Sequence, residues 1–202
     1  VKLSGIPRIS RVTSLLALAL SLVIAAPVRA AEPLNEAAWK TGGQWLSIRA
    51  GYAKAQTRNG PNGNFGWGFG YSQMVSRKVS LGANFQQDLL GKFGGAALID
   101  MPLAFESLWH FKLKGGLHPY VGGGLGTVYR KAYRTGDDWS NFQPMYFGSF
   151  GANVPVDKSH LLGLDVRIEG VSSDQMTDNP VFLSEKSRSV HWSIKINYAT
   201  TY

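Results

Sequence analysis

The chain has 202 residues with 21 basic and 13 acidic side chains, a formal net charge of +8, and no cysteine. The absence of cysteine excludes a disulfide scaffold and thiolate zinc sites, and the length suits one domain. The first 30 residues hold four basic side chains and no acid, so the rest carries 17 basic against 13 acidic groups, spread singly or in pairs. That is not the clustered charge of a nucleic-acid surface.

Lys2, Arg8 and Arg11 precede an apolar run from Leu15 to Ala26, and Pro27-Val28-Arg29-Ala30 follows with small or compact residues where a signal peptidase reads. Residues 1–30 are therefore predicted to be a secretory signal peptide cut after Ala30. Its apolar run is about a dozen residues, short of the roughly 20 that a membrane-spanning helix needs. No later apolar run approaches that length, so any membrane crossing must be made by strands. Residues 31–43, with Ala37-Ala38-Trp39, are expected to form a short periplasmic segment with a helical turn.

From Gln44 the pattern becomes strict alternation. Leu46, Ile48, Ala50 and Tyr52 share one face, and Ser47, Arg49, Gly51 and Ala53 the other. Residues 57–64 are dense in turn formers and read as a loop. The second strand, from Phe65 to about Met74, opens Phe-Gly-Trp-Gly-Phe-Gly-Tyr, placing four aromatics on one face and Gly66, Gly68 and Gly70 on the other. A bare glycine face is a poor surface for water but fits a crowded interior, where it leaves room for side chains from facing strands. The arrangement is that of a narrow barrel with aromatics turned into lipid.

After a turn at Ser76-Arg77-Lys78, the third strand opposes Val79, Leu81, Ala83 and Phe85 to Ser80, Gly82, Asn84 and Gln86. A loop is predicted over 87–95. The fourth strand sets Ile99, Met101, Leu103, Phe105 and Trp109 against Asp100, Pro102, Ala104, Glu106 and His110, with a bulge expected at Pro102 because proline removes a ladder donor. A turn over 112–118 leads to a fifth strand from Pro119 to Tyr129, whose inner face is mostly glycine below Tyr120. A loop is predicted over 130–141. The sixth strand lies within Met145 to Val154, and its register stays open because Tyr146, Phe147 and Phe150 do not share a face. A turn over 156–159 precedes the seventh strand, with Leu162, Leu164, Val166 and Ile168 outward and Gly163, Asp165, Arg167 and Glu169 inward. The longest loop, 172–187, precedes the eighth strand, where Val190, Trp192, Ile194, Ile196 and Tyr198 oppose His191, Ser193, Lys195 and Asn197.

The expected fold is all-β: an eight-stranded antiparallel transmembrane up-and-down β-barrel over residues 44–202. Long and short links alternate, which places the long ones outside the cell and the short turns in the periplasm. A lipocalin-like soluble barrel has the same strand count but requires the opposite sidedness, with the charged face meeting water.

The segment Met101 to Phe111, the run Pro119-Tyr120-Val121-Gly122-Gly123-Gly124-Leu125-Gly126 and a last strand ending in an aromatic resemble the small eight-stranded outer-membrane barrels of the OmpA, OmpX and OmpW type. The resemblance spans residues 31–202 on loose motifs. It implies residence in the outer membrane of a Gram-negative cell envelope and insertion by the barrel assembly machinery, which recognises a terminal strand such as Val190 to Tyr202. Tyr202 departs from the commoner final phenylalanine or tryptophan, and tethering to the cell wall is not expected. A monomer without cofactor is expected.

Two groups of residues are functional candidates. Arg49, Glu106, Asp165, Arg167, Glu169 and Lys195 all point inward and must pair or be neutralised in a low-dielectric interior. Arg58, Arg130, Lys131, Arg134, Lys186 and Arg188 fall in or beside the predicted outer loops, at the level of lipopolysaccharide phosphates, which guanidinium and ammonium groups bind strongly. The expected role is structural, adhesive or protective at the cell surface, with loops contacting lipopolysaccharide or a partner. The alternative is a narrow channel for small hydrophobic solutes, as OmpW-like relatives imply. His191-Trp192-Ser193 has the His-x-Ser spacing of a lipid A deacylase, but both residues face the lumen and no acid lies downstream, so an enzyme is not expected. The four histidines lack the spacing of metal ligands.

Overall fold

A computed structural model describes residues 36–55, 62–93, 96–113, 116–134, 137–171 and 189–202. The predicted signal peptide lies outside them. Among the described residues the strands are β1 (Gln44–Ala55), β2 (Asn64–Met74), β3 (Val79–Phe93), β4 (Ala96–His110), β5 (His118–Arg134), β6 (Asp137–Pro155), β7 (His160–Val171) and β8 (Ser189–Thr201). Each is antiparallel to its neighbours in sequence, and β1 pairs with β8, Arg49 opposite Asn197, so that the sheet closes on itself. Closure removes both sheet edges, which leaves no unpaired ladder to face a bilayer. A short 3-10 helix, Glu36–Trp39, precedes β1.

The alternation of faces follows the sequence closely. Phe65, Trp67, Phe69 and Tyr71 are exposed on the outer wall while Gly66, Gly68 and Gly70 are buried. Phe105 and Leu125 are 74% and 70% exposed, whereas Arg167 and Lys195 are fully buried. Greasy outside and charged inside is the reverse of a soluble barrel, and it decides against the lipocalin-like alternative.

The glycines do what a narrow lumen requires. The inward positions Gly66 and Gly68 stand against Asp88 and Gln86 of β3, and Gly124 of β5 stands against the ring of Phe147, 2.7 Å from where a Cβ would sit. The register of β6 is thereby fixed: Phe147 is buried in the space opened by the glycines of β5, while Tyr146 and Phe150 face outward.

The structure differs from the sequence reading in three places. β3 and β4 run on to residues flanking 94–95, and β5 and β6 to residues flanking 135–136, where loops were expected over 87–95 and 130–141. Asp88 and Arg130 there are strand residues turned to the lumen, while residues on the outer face, such as Tyr129 and Phe142 with ring centroids 4.7 Å apart, continue the apolar wall. The bulge lies between Leu89 and Gly91 rather than at Pro102. Gly91 supplies the left-handed backbone there, at φ 106°. Pro102 keeps register with Val128 of β5, and the β3–β4 ladder passes from Phe85↔Leu103 to Asp88↔Asp100 across it.

The links at the other end, 75–78, 111–117 and 156–159, are all longer than the gaps at 94–95 and 135–136, so the expected alternation of long and short links does not hold along the barrel. Between β6 and β7, Asp157 Oδ1 accepts from the backbone N–H groups of Ser159 at 2.7 Å and His160 at 2.9 Å. The Ser159 N–H, with the His160 ring, holds the Asp157 carboxyl below the usual carboxylate range.

Candidate functional site

The lumen is filled in layers, which can be read along the strands from the end holding residues 36–43. The first layer is apolar. Trp39, Trp45, Met74, Leu161 and Ala199 form one buried cluster, and Trp45 Nε1 donates to the Ala38 carbonyl at 2.8 Å. The 3-10 helix is thus anchored into the barrel's end by two indoles in edge-to-face contact at 5.7 Å.

The second layer is ionic. Arg49 Nη2 lies 2.9 Å from Glu106 Oε1, and Arg167 Nη2 lies 2.9 Å from Glu106 Oε2, so one carboxylate from β4 is held between guanidinium groups from β1 and β7. Asp165 takes longer contacts from both, 3.9 Å to Arg49 and 3.8 Å to Arg167, and accepts the Tyr120 hydroxyl at 2.7 Å. Asn84 bridges the pair, donating to Glu106 at 3.0 Å and accepting from Arg167 Nη1 at 2.9 Å. The guanidinium of Arg167 also lies over the Phe147 ring at 4.1 Å. Charges buried this deeply persist only when paired and hydrogen-bonded.

Two further groups lie towards the loop end. Lys195 Nζ is 2.5 Å from Asp88 Oδ1 and also donates to Gln86. Arg130 forks onto Asp100, with Nε to Oδ1 and Nη2 to Oδ2 both at 2.7 Å. His191 completes that group, its Nδ1 3.0 Å from Asp100 Oδ2 and its Nε2 2.9 Å from Arg130 Nη2. Since arginine only donates, Nε2 accepts and the proton on Nδ1 goes to the carboxylate. Beyond this, Ala53, Ala55, Leu90, Ala96, Leu98 and Ala132 form an apolar cluster.

Of the six charges predicted to face inward, the structure brings Arg49, Glu106, Asp165 and Arg167 into one group, and Lys195 into another. Glu169 is buried with its Oε1 lacking a hydrogen-bond partner, and among the described residues it makes no ion pair with Arg167. Glu106 of β4 supplies the acid that Arg167 meets, at 2.9 Å. Asp88 and Arg130 are lumen residues that the sequence reading left in loops, while Asn84, Asp100, Tyr120 and His191 were placed on the inner face but not among the charge candidates. Continuing the period of two through Gln86-Gln87-Asp88 and Val128-Tyr129-Arg130 would have found the first two.

The second set of candidates needs a correction. Arg130, read as a lipopolysaccharide contact, is 1% exposed and bound to Asp100 inside the barrel, because β5 extends through it with its inward face. Lys131, one position on, does face outward, with Nζ 4.3 Å from the Tyr133 ring centroid. Arg58, Lys186 and Arg188 lie outside the described residues, and of Arg134 only the backbone, in β5, is described.

The His191–Ser193 pair forms no catalytic couple in this arrangement. His191 is committed to Asp100 and Arg130, and the buried Ser193 hydroxyl has no hydrogen-bond partner.

The chain matches no protein-family model and no curated protein. Among solved structures it is similar to Neisserial surface protein A, with 13% identity and a TM-score of 0.67 over 80% of this chain and 99% of that one. It is also similar to Ail, the attachment invasion locus protein of Yersinia pestis, in complex with the heparin analogue sucrose octasulfate, at 11% identity and a TM-score of 0.55 over 80% and 99%. The N-terminal β-barrel domain of Pseudomonas aeruginosa OprF follows at 11% and 0.53 over 81% and 98%. At such identities the likeness is one of fold. The fold is that of the small eight-stranded outer-membrane β-barrels.

Proposed function

We propose that the protein is a bacterial outer-membrane barrel whose work is done at its surface, in adhesion or surface protection, with its outer loops against lipopolysaccharide or a partner. The observation that carries this reading is the occupied lumen. Glu106 from β4 is clamped by arginines from β1 and β7, with Asn84 of β3 and Tyr120 of β5 joined to the same group. A plug drawn from so many strands opposes a conduit, and an eight-stranded barrel has little more room than its own side chains fill. Passage of small hydrophobic solutes is the weaker reading, since the groups lining the middle of the lumen are ionic.

Export by the signal peptide at residues 1–30, insertion by the barrel assembly machinery and a monomeric state belong to the same proposal. The attachment invasion locus protein of Yersinia pestis, similar in fold, is solved in complex with the heparin analogue sucrose octasulfate, which supports the reading. Lys131 on the outer wall, together with Arg58, Arg134, Lys186 and Arg188, would supply cations for phosphate groups. Val181-Phe182-Leu183 in the longest link would supply an apolar contact. Deleting residues 179–187 is expected to abolish binding of whole cells to the surface or lipopolysaccharide they recognise, while the heat-modifiable gel shift stays in place. Full binding by the deletion variant would overturn the surface reading.

A further inference from the structure

The two arginines of the ionic layer direct their terminal nitrogens at partners and leave their Nε groups over. Arg49 Nη2 meets Glu106 Oε1 at 2.9 Å, while Arg167 directs Nη1 to Asn84 and Nη2 to Glu106, both at 2.9 Å. Neither Nε–H has a hydrogen-bond partner among the described residues, and the 3.8 Å from Arg167 Nε to Asp165 Oδ1 is too long for one. A guanidinium does not lose its proton, so each Nε remains a donor.

The groups set against them are unpartnered in the same way. Asn197 stands directly opposite Arg49 where β1 meets β8, and its Nδ2 donates to Asn153 Oδ1 at 3.2 Å, which leaves Asn197 Oδ1 as an acceptor with nothing to accept. Ser149 of β6 and Ser193 of β8 stand directly opposite Arg167 on its two sides, and neither hydroxyl has a partner among the described residues. All five side chains are more than nine-tenths buried. The register therefore sets a donor beside an acceptor twice: Arg49 Nε–H beside Asn197 Oδ1, and Arg167 Nε–H beside two hydroxyls. Buried polar groups without partners are costly, and a water with two to four polar neighbours is the usual relief.

Charge selects the occupant. A cation would stand against the guanidinium groups and an anion against Glu106 and Asp165, whereas a neutral molecule that both donates and accepts suits the two signs at once. We propose that the ionic layer holds internal water at two sites, one between Arg49 Nε and Asn197 Oδ1 and one joining Arg167 Nε to the hydroxyls of Ser149 and Ser193. Each water accepts from a guanidinium N–H and donates to the oxygen beside it. Both sites lie between the apolar cluster around Trp39 and Trp45 and the one around Leu90 and Leu98. These waters are thus sealed from bulk, exchange slowly and open no path for ions. The inference does not depend on what the loops bind.

Two measurements on the full barrel test it. A crystal structure at a resolution that shows ordered solvent should place a water oxygen at each site, about 2.7–3.2 Å from the named Nε and from at least one of its oxygen partners. Water oxygen-17 relaxation dispersion of the barrel in micelles registers internal waters and is blind to exchanging hydroxyl protons. A slow component is expected in the parent, with a loss of amplitude in Ser149→Ala/Ser193→Ala, which takes both hydroxyls from the second site. Ser107→Ala removes an exposed hydroxyl from the outer wall of β4 and should leave the amplitude unchanged. An unchanged heat-modifiable gel shift shows that each variant folds, and Ser193→Ala alone is read in the same way should the double variant fail to fold. Absence of solvent at one or both sites, absence of a slow component, or parental amplitude in Ser149→Ala/Ser193→Ala would overturn the proposal.

Discussion

Arg167→Met is expected to lower the unfolding free energy of the barrel by roughly 3 to 5 kcal/mol, the usual cost of removing one partner from a buried charge group. The guanidinium reaches Glu106 and Asn84 at 2.9 Å, approaches Asp165 at 3.8 Å and covers the Phe147 ring. Methionine keeps most of the packing volume and none of those polar contacts, leaving two carboxylates to share Arg49. The midpoint of the heat-modifiable gel shift and of urea unfolding should fall together. Arg167→Lys retains the charge but cannot bridge Glu106 and Asn84 with two parallel donors, so it should fall between the parent and Arg167→Met. Glu106→Gln added to Arg167→Met should cost less than the two single changes combined, because it removes the stranded acid. An unchanged midpoint in Arg167→Met would mean the ionic layer contributes no stability.

Glycine provides the second large effect, and its sign depends on the face. At Gly124 a Cβ would meet the Phe105 carbonyl and the Phe147 ring, and Gly124→Val should destabilise by about 3 kcal/mol, the upper end for overpacking. Gly148 lies on the outer wall of β6, where the nearest atom to a Cβ is the Gly122 carbonyl at 3.9 Å. Gly148→Val should be neutral or mildly stabilising, since a branched residue suits a strand and meets lipid. Urea midpoints of the two variants in the same micelles check the contrast. A similar loss in both would show that glycine serves the backbone generally rather than the lumen's space.

Most of the barrel was legible in the sequence because a period of two survives wherever one wall meets lipid and the other meets a crowded lumen. The faces of β1, β2, β7 and β8 could be read residue by residue. The extensions of β3 to β6 could not, since Gln87, Asp88, Arg130 and Asn141 look like loop residues when polarity is taken as exposure. Inside this barrel polarity marks burial, and Asp88 and Arg130 are 3% and 1% exposed. The register of β6 was hidden for a different reason. Phe147 is an aromatic turned inward, and only the glycine gap across from it on β5 accounts for its place. The bulge followed Gly91, whose left-handed backbone left less trace in the sequence than Pro102 did.

The ionic candidates show the same limit. Alternation placed Arg49, Glu106, Asp165 and Arg167 on the inner wall, but which acid meets which base depends on the stagger of strands that are distant in sequence. Glu106 reaches Arg49 across 57 residues and Arg167 across 61.

The claim that the lumen is closed, and that function therefore lies at the barrel's surfaces, is tested most directly by conductance. The purified barrel in planar bilayers is predicted to give no regular steps across the range of voltage that leaves the bilayer intact. Reproducible channel steps whose size or frequency changes with Glu106→Gln or Arg167→Met would contradict the account, because they would place the permeation path through the ionic layer itself.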